Sequence, residues 1–250
     1  MSLMINIKAF LKSPINFKDK CMIYPPTVAE VINSDFSLYY SLLTMTEDDI
    51  LEYLKDSDID KKPTPFEFLM ANCYINKDYE ERVKKAFEFF IHSTVTFLYS
   101  SLEIIIGNLN EVILNTDNIQ NVKIITQKDF FDFQNLIRES VGRKPINPPV
   151  APDPNEDPRI RRIKEKARLR DRILEKKGRA GGINFESSLV AICCMGIGIT
   201  PLNIGEMSYA SINPIISMMQ DKEKYDIDIR SLLAGADSKK IKPVYWIKNI

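Results

Sequence analysis

Three patterns in this sequence have the residue types and spacing to do chemistry. The first is Asp56-Ser57-Asp58-Ile59-Asp60, alternating carboxylates like those that open an EF-hand calcium loop. Lys61-Lys62-Pro63 follows where the turn glycine and later ligands belong, so no metal site is expected there. The second is His92, the single histidine, followed by Ser93 and Thr94. Its neighbours place it on an apolar helix, where a hydrogen-bonded structural histidine is expected in preference to a general base. The third is the vicinal pair Cys193-Cys194, which with Cys21 and Cys73 makes four cysteines and no CxxC. In an apolar run a cysteine behaves as a small hydrophobe, and all four read as reduced thiols of a cytoplasmic protein. The chain also lacks GxxxxGK[ST], GxGxxG, GxSxG and HExxH. Neither an enzyme nor a bound cofactor is expected.

What remains is charge. Residues 159–179 hold eleven Lys and Arg against three acids, an excess of eight positive charges, while the whole chain carries 34 of each sign. Neutrality is therefore an average of a strongly basic segment and an acidic remainder. Arg159, Arg161, Arg162, Lys164, Lys166, Arg168, Arg170 and Arg172 could line a phosphate backbone, but no aromatic residue stands between them to stack bases. The favoured reading is a contact with another protein or with the acidic part of a second copy; nucleic acid and a merely solvated helix are the alternatives. Ile160, Ile163, Ala167 and Leu174 give this helix only a thin apolar stripe, so it buries little against its own domain. Met207, Met218, Met219 and Trp246 are the second set of candidate contact residues, methionine because it adapts to varied apolar surfaces.

The elements that must position these groups read as follows. Pro26 suits a helix start, and apolar residues from Val28 to Leu43 recur at helical spacing with an interruption at 33–35. Thr46 with Asp49, and Thr64-Pro65 with Glu67, start two further helices. Val83, Phe87, Phe90 and Ile91 mark one face of a helix over 77–92. From residue 94 the period changes, and Gly107-Asn108 between apolar runs predicts a hairpin, with 121–125 as a third strand. One helix running through 78–106 is the alternative. Thr126 caps the next helix and Gly142 ends it.

Six of the fourteen prolines then fall between 145 and 158, an extended spacer, or else a ligand for a proline-recognising domain. Beyond the basic helix, 185–195, 203–210 and 211–225 read as helices, Gly235 closes a short one, and 241–250 is an aromatic, basic tail. The apolar run 189–202 is too short for a membrane span and is expected to be a buried helix ending at its glycines, and the N-terminal residues have no signal-peptide core. The expected class is mainly α (α+β): a helical domain over 1–142 with a small β-hairpin element near 94–125, a Pro-rich linker over 143–158, a basic helix over 159–182 and a helical C-terminal domain over 183–250.

The order of IYPPTVAEVI, an acidic helical stretch, INPPVAPDP, the basic helix and SLLAGADSKKIKPVYWIKNI resembles accessory tail proteins of phages and prophages of Gram-positive bacteria. These occupy the place of the tail assembly chaperones. The resemblance implies a non-enzymatic role: binding the tape-measure protein and tail subunits in the host cytoplasm, as a transient assembly factor or as a structural part of the tail or virion. A homo-oligomer is among the expected states, and no membrane partner is.

Overall fold

The computed structural model describes residues 2–54, 63–107, 123–146, 157, 159, 160, 162, 163, 166, 167, 170, 185–237 and 240–245. The protein is mainly α, with two small sheets among the described residues. It divides into two compact units, one of Met1–Ile146 with Pro201–Ile250 and one of Asn147–Thr200. Residues 201–250 thus count with the N-terminal part, whereas the sequence groups them with 183–200.

The first unit is built on helices whose starts are written locally. After α1 (Ser2–Phe10) and the hairpin β1 (Ile15–Phe17) and β2 (Cys21–Ile23) come α2 (Val28–Ile32), α3 (Phe36–Thr44), α4 (Glu47–Tyr53), α5 (Pro65–Ile75) and α6 (Lys77–Ile91). Thr27, Thr46 and Thr64 each accept from the backbone N–H three residues on, and Glu30, Asp49 and Glu67 accept from the threonine N–H in return. This reciprocal box satisfies two of the donors that a helix start leaves unpaired. Asn76 caps α6 by accepting from the N–H groups of Asp78 and Tyr79, at 3.0 and 3.2 Å.

A three-stranded antiparallel sheet follows, β3 (Val95–Leu98), β4 (Glu103–Ile106) and β5 (Ile124–Thr126) in that order. The hairpin expected here is present, but its turn lies at 99–102 and not at Gly107-Asn108. Val95 pairs with Ile106 and Leu98 with Glu103, a register that buries Val95, Phe97 and Ile104. Gly107, at φ +110°, ends the ladder, its N–H bonded to the Thr94 carbonyl. The single helix through 78–106 does not form: α6 stops at Ile91. His92 lies beyond that helix as its C-cap, left-handed at φ 52° and exposed, with its ring stacked on Tyr24 at 4.1 Å.

Helix α7 (Gln127–Ser140) starts at Thr126, whose N–H and hydroxyl both donate to Asp129. Its stripe of Phe130, Phe133 and Ile137 is buried. Phe133 stacks on Phe87 of α6 at 5.4 Å and meets Phe17 of β1 edge-on at 5.5 Å, and Phe130 meets Phe66 of α5 at 5.1 Å. These rings join α5, α6, α7 and the first hairpin into one core.

The last helix of this unit, α9 (Tyr209–Leu233), corrects the expectation of separate helices over 203–210 and 211–225. A 3-10 turn, Ile204–Glu206, precedes it, and Ser208 caps one helix of 25 residues. Pro214 lies inside this helix, in its second turn, and leaves the Ala210 carbonyl without its intrahelical donor. Gly235 therefore closes this long helix and not a short one.

The second unit holds the described residues of the basic segment and α8 (Phe185–Cys194). α8 is not the buried helix expected: it buries Ser188 and Ile192, while Val190 is 64% exposed. Cys193 is half-buried and Cys194 exposed, so this pair does not act as packed hydrophobe; Cys21 and Cys73 do, and all four thiols are free. Gly196 and Gly198 follow at positive φ, ending the helix as expected.

Candidate interaction site

In the second unit, the basic segment is helical at residues 159, 160, 162, 163, 166, 167 and 170. The Asp157 carboxylate accepts from the Arg159 N–H at 2.8 Å, a cap that also places negative charge at the helix start. Arg159, Arg162, Lys166 and Arg170 are exposed, and so are the apolar Ile160, Ile163 and Ala167. Neither face is covered at these positions. Arg161, Lys164, Arg168 and Arg172 lie outside the described residues, as do Trp246, the Asp56, Asp58 and Asp60 carboxylates, and most of the proline-rich spacer.

The three methionines divide into two roles. Met207 is half-buried, and its carbonyl accepts from the Val28 N–H at 2.9 Å, next to a bridge between Thr27 and Ser208. Tyr209 N–H donates to the Pro26 carbonyl, and the Ser208 hydroxyl donates to the Ala9 carbonyl at 2.6 Å. The Tyr209 ring packs on Phe36 at 5.0 Å, and Lys12 donates to the Glu206 carbonyl. Residues 203–212 are thus a dock that fastens the start of α9 to α1, α2 and α3. Met218 and Met219 stand further along α9, exposed and half-buried, and no residue of that helix after Ile212 is buried.

Sequence reasoning missed this dock, which joins residues about 180 positions apart. A helix-capping serine at 208 was its one local sign. It also missed the ion cluster at the start of α7. There Lys20 lies 2.5 Å from Asp129, and Lys18 lies 3.3 Å from Asp129 and 2.6 Å from Asp132. Burial works to raise the Asp129 pKa, but the bonds from Lys20, Thr126 and Lys18 outweigh it and hold the carboxyl well below the usual range. On α6, burial likewise opposes ionisation of Glu80, and Lys77 and Lys84, at 2.7 and 2.9 Å, hold its pKa down. Burial pushes the Cys21 and Cys73 thiols up to about 12, which leaves them protonated and poor nucleophiles.

Among the described residues no group of three or more His, Cys, Asp or Glu is placed to hold a metal ion, and no helix is long and apolar enough to cross a membrane. What the arrangement offers is surface: a basic helix with an uncovered apolar stripe, and a long helix fastened at one end.

Residues 175–250 match a family described as the YomV second domain. That family is of phage and prophage type, and over this stretch, under a third of the chain, the protein is phage-related by similarity. The matched residues take in α8, the dock and α9. No curated protein and no solved structure matches the chain.

Proposed function

We propose that this chain is a non-enzymatic phage tail-assembly protein that binds the tape-measure protein, tail subunits or both during tail morphogenesis. The observation that carries this reading is the length of α9 beyond Ile212, no described residue of it fully buried, with the exposed Met218 and half-buried Met219 along it, inside the part similar to a phage-type family. A tape-measure protein has long apolar helical faces before the tail closes around it. A long helix held at one end by a folded domain suits helix-to-helix capture of such a client, and methionine tolerates varied packing partners. The exposed basic helix would add a second contact on a spacer, and each bound module raises the effective concentration of the other.

Co-expression with the tape-measure protein of the same phage tests this. The expected result is a larger soluble fraction of that protein and a complex stable to purification. An unchanged solubility and oligomeric state of the tape-measure protein would sink the proposal.

A second reading rests on the exposure of Arg159, Arg162, Lys166 and Arg170: the basic helix binds nucleic acid. It requires DNA retention that falls steeply with salt and is abolished by Arg161→Glu, Arg162→Glu, Arg168→Glu and Arg172→Glu together.

A further inference from the structure

Helix α9 has a seven-residue repeat after Pro214. Ile215, Met218, Lys222, Tyr225, Ile229 and Leu232 follow one another at alternating steps of three and four, the seam spacing of a coiled coil with one lysine in it. Beyond Ile212 no described residue of this helix is fully buried: along the seam Met218 and Lys222 are exposed, and Ile215, Tyr225, Ile229 and Leu232 are half-buried. Tyr225 meets the edge of Tyr245 from the chain's own tail, and Tyr245 is itself 58% exposed. The charged positions flanking the seam are acidic, Asp226 and Asp228 among them. Two copies of α9 laid side by side would bring these carboxylates together, and like charges at flanking positions disfavour that pairing.

The basic helix carries the complementary pattern. Ile160, Ile163 and Ala167 have the same three-and-four spacing, and the positions flanking them include Arg159 and Lys166. Ile160 is 49% and Ile163 66% exposed, and Arg159 and Lys166 are exposed as well. One stripe is exposed with basic flanks, the other partly exposed with acidic flanks.

We infer that the protein associates with a second copy of itself, the basic helix of one copy packing along α9 of the other. The apolar seams supply the contact, and the opposite charges beside them select this pairing over α9 with α9 or basic helix with basic helix. This inference goes beyond the client-binding reading and holds whether or not a tape-measure protein is bound.

The test is sedimentation velocity on the purified full chain across a range of concentrations, in low and in high salt. Self-association is expected in low salt and should weaken markedly near 1 M salt, where screening reaches about 3 Å. Asp226→Lys with Asp228→Lys, and separately Arg159→Glu with Lys166→Glu, should each raise the dissociation constant by about tenfold or more with an unchanged far-UV spectrum. The four substitutions combined in one chain restore opposite charges and should recover association. A chain that stays monomeric up to about 100 μM in low salt, or one whose association is untouched by either pair of reversals, would overturn the inference. So would a monomer that binds duplex DNA through residues 159–170.

Discussion

Gly142 joins two demands at one position. It follows α7 at φ +75°, a left-handed conformation that costs most residues free energy, and a Cβ there would stand 3.1 Å from the Ala210 carbonyl oxygen in the first turn of α9. Gly142→Ala should therefore destabilise the protein by about 1–3 kcal/mol, read by thermal or denaturant unfolding. Asp129 makes a different prediction. Its folded pKa lies below its unfolded value near 3.9, so its contribution is present above that pH and is lost as pH falls toward the folded pKa. The melting temperature should drop as pH is lowered from about 5 to about 2. Asp129→Asn should melt lower at neutral pH and lose part of that acid dependence. A variant with the parent's acid profile would show that the Lys18 and Lys20 contacts add nothing.

At the scale of elements, much of the helical framework was readable because its signals are local. Thr46, Thr64 and Thr126, each with an acid three residues on, name their own helices, and Val83, Phe87, Phe90 and Ile91 name the buried face of α6. The first hairpin was not legible. Its strands are three residues long, and its turn uses Lys18 and Asp19 at positive φ where Gly or Asn would have announced it. Gly107 misled in the opposite sense, since a glycine at positive φ can end a ladder as well as turn one. The dock at 203–212 was hidden for another reason: its partners, Ala9, Pro26 and Val28, are chosen by tertiary structure and leave no periodic trace. Ser208 holds that dock twice, donating to Ala9 and accepting from the Ala210 N–H to start α9. Ser208→Ala should cost about 1–2 kcal/mol and speed proteolysis within α9 relative to the N-terminal helices.

For the whole molecule, the candidate contact residues were legible as types and only partly as places. The charge excess of 159–179 can be counted in the sequence, and where the structure describes that segment its side chains are exposed. Met207 could not be separated from Met218 and Met219 by pattern, because whether a methionine is pinned in a dock or carried out on a helix depends on where α9 begins. The resulting picture is a folded helical unit that holds one end of a long helix, and a second unit that carries an exposed basic helix where it is described. On the proposed reading its chemistry is that of contacts between chains. The measurement that bears most directly on a role in tail assembly is electron microscopy of particles made by a phage whose copy of this gene is interrupted early. Heads without tails, or with tails of aberrant length, restored to normal by supplying the chain in trans, are the expected result. Normal tails at the parental yield would contradict the account.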